Sequence, residues 1–236
     1  MYVAAHASMN KGKKVAVFTL EMPREQIALR VLCSDAKVDM QRVRKGTLTS
    51  EDWIKLTESL TPMVAAPMYI DDTAGISPSI LRSRCRRLMM EKGLDLIVVD
   101  YLGLMRADGR VENRQLEVSE ISRQLKAIAL DLKVPVMACA QLSRANKDRQ
   151  DKRPLLSDLR DSGSIEQDAD VVMFLHREDY YKETPENKNI AEVIVAKQRS
   201  GPPGNVKLAW LGSTTTFANL AKEGNQTLKK DPDSPW

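Results

Sequence analysis

The chain has 236 residues, 42% of them hydrophobic, which is enough for an α/β domain with a buried core and excludes a mainly disordered protein. Lys and Arg number 36 against 32 Asp and Glu, a formal net charge of +4 with both signs interspersed, so charge alone neither requires nor excludes a polyanionic partner. Aromatic residues make up only 5%, too few for a series of base-stacking platforms, so any nucleic acid would be held mainly through its backbone.

The cysteines and the hydropathy pattern indicate a cellular compartment. Cys33, Cys85 and Cys139 are widely spaced, form no C-x-x-C pair and lie within apolar patterns, as is typical of thiols in a reducing compartment. No apolar run approaches the roughly 20 residues of a membrane span, and the first residues lack the apolar core of a signal peptide. We therefore expect a cytoplasmic protein.

Short apolar runs alternate with helical patterns, which predicts a central, mainly parallel sheet. The runs are Val15–Leu20, Met68–Ile70, Leu94–Leu102, Val134–Leu142, Ala169–Leu175, Ile190–Ala196 and Val206–Leu211. The links after Ala169 are too short for crossover helices, so we expect the sheet to end in antiparallel strands.

Helical patterns fill the longer links. They are Arg24–Ala36, Glu51–Leu60 with Thr49 or Ser50 as N-cap, a helix from Pro78 with Leu81, Cys85 and Leu88 on one face, and Val118–Leu132. We expect a single domain over residues 1–222 and a disordered tail over 223–236.

Two predicted strands end in an acid. Asp100 follows Leu96–Val99 and Glu21 follows Val15–Leu20, so both carboxylates would lie at one edge of the sheet, where open α/β sheets bind ligands. A pair of acids, one that holds Mg²⁺ and one that activates water, is typical of hydrolases. The alternatives are that Asp100 caps the turn after its strand and that Glu21 interacts with the dipole of the following helix.

Polar residues also follow two further strands. Gln141 could contact a γ-phosphate, or it could be an ordinary polar residue at a strand end. Lys197 and Arg199 precede the turn Gly201–Gly204, from which a guanidinium could reach a phosphate on a neighbouring subunit. The alternative is a solvated basic turn.

The segment around Arg160 resembles a loop that opens a short helix. Its small residues and backbone N–H groups suit a phosphate, although Ser164 could instead be an N-cap, with Gln167 completing a capping box. His6 and His176 lack the spacing of metal ligands, so we interpret them as structural or surface residues.

Long motifs make the chain resemble the C-terminal motor domain of the DnaB-type replicative DNA helicases, which are RecA-like ring ATPases. They are FTLEM (18–22), MYIDD (68–72), DLIVVDYLGLM (95–105), ENRQLEVSEISRQLKAIA (112–129), VPVMACAQLSR (134–144), DKRPLLSDLRDSGSIEQDAD (151–170) and AKQRSGPPG (196–204). Because these motifs are long and occur in the family's order, the resemblance is specific.

The resemblance implies roles for matching residues. Glu21 would activate the attacking water, Asp100 would support Mg²⁺, and Gln141 would sense the γ-phosphate of ATP. The resemblance also implies that Lys197 and Arg199 act on ATP bound by the adjacent subunit. Nucleotide contacts are implied for Arg30 and Gln198, and contacts with single-stranded DNA for Arg160, Asp161 and Gly163.

The sequence also departs from the family pattern. Thr19 stands where the family has Ser, Asp161 where it has Glu, and Gly103 where it has Gln. No G-x-x-x-x-G-K-[ST] phosphate loop occurs in the chain, which starts within what the resemblance identifies as the following helix. The expectation is therefore a motor domain without its phosphate loop and first strand.

The function that we predict is that of a fragment of a replicative DNA helicase. Its complete form would be a hexameric, ATP-driven translocase on single-stranded DNA, with primase and a helicase loader as further partners. The alternative is a non-catalytic homologue that acts as an interaction subunit. A recombinase or clock-type ATPase fits the motifs SIEQDAD and KQRSGP less well.

We predict that the 236-residue chain alone hydrolyses ATP negligibly. Without a phosphate loop it lacks a cradle of N–H groups and a phosphate-binding lysine, so both positioning and charge neutralisation are reduced. Steady-state phosphate release with and without single-stranded DNA measures this. A DNA-stimulated turnover of about 1 s⁻¹ or more, the low end for ordinary kinases, would contradict it.

Overall fold

The computed structural model describes residues 1–143, 149 and 151–220, and for residues 160–163 it describes the backbone alone. The predicted tail, 223–236, and the last residue of the motif 134–144 lie outside the described residues. Within the described part of the chain, no helix is both long and apolar enough to cross a bilayer.

A parallel sheet of four strands forms the first layer. Its strands are β1 (Val15–Thr19), β2 (Met68–Asp71), β3 (Leu96–Asp100) and β4 (Val136–Ala138), in the order β2-β1-β3-β4. All five residues of β1 are buried, as are the central residues of β3. Both strands consist mostly of apolar residues because helices cover parallel strands on both faces.

A second, antiparallel sheet follows in the chain. It contains β5 (Val171–His176), β6 (Ile190–Gln198), β7 (Gly204–Leu211) and β8 (Thr216–Asn219), in that order. The predicted class, parallel strands with antiparallel strands at the C-terminal end, is confirmed. The antiparallel strands form a sheet of their own, and β8 was not predicted.

Seven α-helices are described. They are α1 (Tyr2–Ala5), α2 (Arg24–Ala36), α3 (Met40–Lys45), α4 (Ser50–Ala65), α5 (Pro78–Glu91), α6 (Arg114–Leu132) and α7 (Gly163–Asp168). A π-helical turn, His6–Asn10, continues α1, and 3₁₀ segments span Leu102–Leu104, Leu156–Ser162 and Glu178–Tyr180.

The helices cover both faces of the parallel sheet. From α5 and α6, Leu81 and Ile121 are fully buried against β1 and β3 in the largest hydrophobic cluster. On the opposite face, Ala4 of α1 packs with Val15 and Val98. Each fully buried Leu, Ile or Val side chain contributes about 1.5–3 kcal/mol, so this double-sided core fixes the position of the strand ends.

One local expectation needs correction, and one helix was not predicted. Ser164 is not an N-cap, because the 3₁₀ segment Leu156–Ser162 runs directly into α7 and places Ser164 inside the helix. Helix α3 was not predicted, because it has only six residues and its sequence has little apolar periodicity. Asp39 accepts a hydrogen bond from Gln41 N–H at its start, and Gly46, at φ 66°, ends it.

The start of α4 depends on Asp52. Thr49 and Asp52 form a capping box, which confirms Thr49 as the N-cap, and the Asp52 carboxylate also pairs with Arg42 at 3.0 Å. The hydrogen bond from Thr49 N–H is the main cause that lowers the pKa of Asp52, with the Thr49 hydroxyl and Arg42 adding to it. The carboxylate thus joins α4 to α3.

We predict that Asp52→Asn destabilises the fold at neutral pH and that this difference shrinks in acid. Because folding lowers the pKa of Asp52, its charge stabilises the native state above the unfolded pKa, and this contribution is lost as the pH falls through the folded pKa. Thermal unfolding of both proteins from pH 7 to pH 3 measures it. Glu58→Gln, on the exposed side of the same helix, is the control, and an equal effect of the two substitutions at pH 7 would argue against the prediction.

Candidate functional site

The carboxyl ends of three parallel strands meet at one edge of the sheet. Thr19 and Asp100 are register partners, and Leu20 N–H donates to Asp100 O at 2.7 Å. Beyond β4, Cys139 N–H donates to Val99 O and Leu102 N–H donates to Cys139 O, both at 2.9 Å. These backbone bonds extend the sheet past its strands, so the residues that follow all three strands lie along the same edge.

Glu21 projects from the turn between β1 and α2. Its side chain is exposed, while Thr19, two residues earlier, is 1% exposed. The Thr19 hydroxyl donates to Met22 O at 2.9 Å, which ties the turn back onto the strand. A hydroxyl at position 19 therefore has a structural role in placing Glu21.

Asp100 is the last residue of β3 and is half-buried. Among the described residues, its carboxylate makes no hydrogen bond or ion pair, and no group of three or more His, Cys, Asp or Glu could hold a metal ion. A lone carboxylate still suits Mg²⁺, which keeps several waters and is commonly held by one or two acids together with substrate phosphates.

The segment after Asp100 is held by contacts that were not predicted. The Tyr101 ring lies 2.7 Å from where a Cβ at Gly103 would be, and Arg114 of α6 donates to Gly103 O and pairs with Glu117. The peptide bond between Asp100 and Tyr101 is cis. The Tyr101 ring thus occupies the space beside Gly103, the position at which the family pattern has Gln.

Gln141 lies three residues beyond β4 and is exposed. Arg30 is on the exposed face of α2, one residue before buried Val31. His176, by contrast, is 4% exposed, lies 2.9 Å from Glu178 and stacks on Tyr181, which confirms its structural role.

Lys197 and Arg199 lie in the other sheet, at the end of β6, and both side chains bind the end of α7. Lys197 Nζ donates to Glu166 O at 2.5 Å, and Arg199 Nη2 donates to Gln167 O at 2.7 Å. These carbonyls belong to the last turn of α7, where cations interact favourably with the helix dipole. Among the described residues, neither cation contacts Glu21, Asp100 or Gln141.

Asp170 connects this region to α6. Its carboxylate accepts from Lys126 at 2.5 Å and lies 3.3 Å from Arg199 Nη1. The hydrogen bond from Lys126 is the main cause that lowers the pKa of Asp170, and the charges of Lys126, Arg199 and Lys197 add to it. Asp170 was not predicted to have a role, although it lies just before β5 and the two cations Lys197 and Arg199 occur together at the end of β6.

The predicted DNA-binding residues lie at the opposite end of the same helical segment. Arg160 and Asp161 are in the 3₁₀ segment and Gly163 begins α7, and their side chains lie outside the described atoms. Asp158, 3% exposed, anchors the segment: its carboxylate accepts from Arg149 at 2.7 Å and from Leu155 N–H at 2.8 Å. Its carbonyl accepts from Ser143 N–H at 3.0 Å, two residues beyond Gln141.

Gln198 is the last residue of β6, between the two cations, and its side chain is exposed. Its amide nitrogen is 2.7 Å from where a Cβ at Gly201 would be, so the side chain folds over the following turn.

Comparison with known proteins agrees with this architecture. Residues 1–219 match the DnaB-like helicase C terminal domain. The replicative DNA helicase DnaB of Geobacillus stearothermophilus is 52% identical over 221 residues, which cover 93% of this chain and 49% of that protein. The DnaB of Pasteurella multocida is 50% identical over 226 residues, which cover 94% and 48%. The chain spans about half the length of these relatives.

Solved structures show the same fold. One of them, an ATPase domain, superposes with a TM-score of 0.88 at 38% identity, covering 92% of this chain and 78% of that one. A DnaB-like replicative helicase, described together with its interactions with primase, superposes with a TM-score of 0.86 at 38% identity, covering 90% and 52%. The fold is therefore RecA-like, and the chain belongs to the DnaB-like helicase C-terminal domain family.

Proposed function

We propose that this chain is the motor half of a replicative DNA helicase, a hexameric ring that uses ATP to move along single-stranded DNA and unwind duplex. The observation that carries the proposal is the shared sheet edge at the carboxyl ends of three adjacent parallel strands, where Asp100 ends β3, Glu21 follows β1 and Gln141 follows β4. A non-catalytic interaction subunit would have no chemical use for this set.

The two acids have different environments that suit different roles. Glu21 is exposed at the end of a tied turn, where a carboxylate can orient and deprotonate an attacking water. Half-buried Asp100, without a protein partner among the described residues, would hold Mg²⁺ beside the phosphates. When bound, the ion supplies neutralisation of the phosphate charge that develops during transfer.

The remaining nucleotide contacts come from separate elements. Gln141, on the neighbouring strand end, senses the γ-phosphate through its amide, and Arg30 on α2 and Gln198 on β6 contact the nucleotide. Lys197 and Arg199 act on ATP bound by the adjacent subunit. Both side chains bind α7, and among the described residues neither contacts Glu21 or Asp100 of the same chain, which favours this action in trans.

The loop of Arg160, Asp161 and Gly163 holds single-stranded DNA through its phosphates: the Arg160 guanidinium and backbone N–H groups donate to them, and Asp161 orients Arg160. Such contacts carry no base information, as a translocase requires. Primase and a helicase loader are further partners, and the primase interactions described for a structural relative support the first of these. Cytoplasmic location agrees with three free cysteines.

The test uses a chimeric helicase, in which the N-terminal half of the Geobacillus stearothermophilus relative is joined to this chain. We predict that Arg199→Ala leaves ATP binding largely intact and lowers turnover by about 10³ or more, the range for loss of an arginine that stabilises the transferring phosphoryl group. Glu21→Gln abolishes turnover. If the interfaces hydrolyse ATP independently of one another, mixing the two variants restores activity, because some interfaces then combine an intact Glu21 with an intact Arg199.

A ring whose subunits hydrolyse ATP strictly in sequence remains inactive after mixing. A second measurement therefore tests directly whether position 199 lies beside ATP bound by the neighbouring subunit. A cysteine at position 199, in a background where exposed Cys139 is replaced, reacts with a thiol-reactive ATP analogue. With subunits of two sizes and a phosphate-loop variant that does not bind ATP in one of them, we expect the label to cross the interface. Labelling only within the subunit that binds ATP would refute the trans assignment.

For DNA, we predict that Arg160→Ala in the chimeric helicase weakens single-stranded binding about equally for all sequences. Affinity falls as salt rises, and loss of one phosphate contact makes the slope of log affinity against log salt less negative by roughly 0.7. Fluorescence anisotropy at several salt concentrations measures both. Arg87→Ala, an exposed α5 residue paired with Glu91, is the control. A sequence-selective loss, or a lower melting temperature with unchanged DNA affinity, would point to a different role.

A further inference from the structure

We propose that Asp170 is a positioning residue for Arg199. It holds the guanidinium in the orientation from which it reaches the neighbouring subunit's nucleotide, and it fixes that orientation to α6 through Lys126. This inference rests on the proposed action of Arg199 in trans, and it assigns Asp170 and Lys126 a role in the same site.

Asp170 contacts Arg199 at two independent points. The Asp170 backbone carbonyl accepts from Arg199 N–H at 2.9 Å, which fixes where the Arg199 main chain lies. The carboxylate Oδ1 lies 3.3 Å from Arg199 Nη1, which fixes the far end of the side chain. The same residue therefore sets both ends of a long, flexible side chain.

The contacts orient the Arg199 guanidinium and still leave some of its N–H donors free. Arg has five N–H donors in a rigid plane, and here Nη1 faces Asp170 while Nη2 donates to Gln167 O at 2.7 Å. Contacts on both terminal nitrogens fix the plane of the group. The side chain nevertheless remains 51% exposed, so donors stay accessible to a phosphate outside this subunit.

The second carboxylate oxygen makes the anchor rigid. Asp170 Oδ2 accepts from Lys126 Nζ at 2.5 Å, and Lys126 is the less exposed partner, at 27%. Nearby in the same joint, Ser122 of α6 donates to Asp168 at 2.8 Å. Since α6 packs directly on the parallel sheet, Asp170 connects the position of Arg199 to the core that carries Asp100.

The charge balance favours an anion binding here. One carboxylate faces Lys126, Lys197 and Arg199, so the group keeps a net positive charge. These cations hold the pKa of Asp170 below its usual range, so the carboxylate stays ionised at neutral pH. Asp170 thus orders the cations and leaves charge for a phosphate.

The strand pairing places Lys197 in the same joint. Val172 pairs with Lys197 but Met173 pairs with Val195, so Ala196 is an extra residue in β6. Such bulges re-aim the side chains that follow them. Lys197 binds Glu166 O while Arg199 binds Gln167 O, so the two cations occupy successive carbonyls of one helix end.

The experiment measures ATP turnover by the chimeric helicase with single-stranded DNA. We expect Asp170→Asn to lower kcat by about 10-fold or more, a typical loss when a residue that orients a functional group is removed, with the KM for ATP nearly unchanged. Asp170→Glu keeps the charge, so it should lower kcat less than Asp170→Asn does. Lys126→Met should also lower kcat less than Asp170→Asn.

A double-mutant cycle with Arg199 distinguishes a positioning role of Asp170 from a general structural role. If Asp170 acts through Arg199, adding Asp170→Asn to Arg199→Ala causes no further loss, whereas a general structural defect would add to it. Glu91→Gln, a half-exposed carboxylate paired with Arg87 on α5, is the matched control and should leave kcat unchanged. Melting temperatures should differ little, because exposed ion pairs contribute little to stability.

Two results would overturn the inference: an unchanged kcat, or a raised kcat, which would mean that Asp170 restrains Arg199 away from its target. If Arg199→Ala still lowers kcat, either result would refute the positioning role of Asp170 and leave the trans action of Arg199 intact. If Arg199→Ala leaves kcat unchanged, the trans action in the proposed function fails instead. If Asp170→Asn does not assemble into rings, Lys126→Met, on the other side of the same carboxylate, decides the question.

Discussion

The register between β1 and β3 is the constraint on which the candidate site depends. Both strands are buried by helices on two faces, so a shift of one residue would move each side chain to the opposite face, against helices packed around different side chains, and would draw a polar residue at the strand end toward the core. The pairing of Thr19 with Asp100 is therefore fixed by the core. It follows that Glu21 and Asp100 share one edge for reasons of packing, and the proposed chemistry would use a position that folding has already set.

Sequence reasoning succeeded where periodicity decides the structure. It placed α2 with its observed bounds and located the strand that leads to Glu21 and the strand that ends at Asp100. It failed where short elements depend on tertiary contacts: α3 has six residues, and Ser164 lies within a helix whose start is set by the 3₁₀ segment before it. Propensity is a weak guide at this length, because an isolated helix of one or two turns is unstable in water.

The same limit explains why site-supporting residues were missed. Asp158 and Asp170 occur in a motif that was recognised, but their partners are distant in sequence: Asp158 O accepts from Ser143 N–H, and Asp170 binds Lys126, 44 residues away. Such pairs have no signature in spacing. Glu21, Asp100 and Gln141 could be found because strand ends converge by rule, whereas contacts between α6, α7 and β6 depend on how two sheets are joined.

Helix α7 contacts α6 on one side and the residues at the end of β6 on another. Too short to be stable alone, it is held at its C-terminal end by Lys197 and Arg199, while the 3₁₀ segment leading into it is held by Asp158 and Ser143. In the proposed function, the first pair reads the neighbouring subunit's nucleotide, and Ser143 lies two residues beyond the sensor Gln141. Because one short element carries both anchors, the place of Lys197 and Arg199 and the place of the segment that carries Arg160 are set together. In the proposed function, the contact with the neighbouring subunit's nucleotide and the contact with DNA therefore share this element.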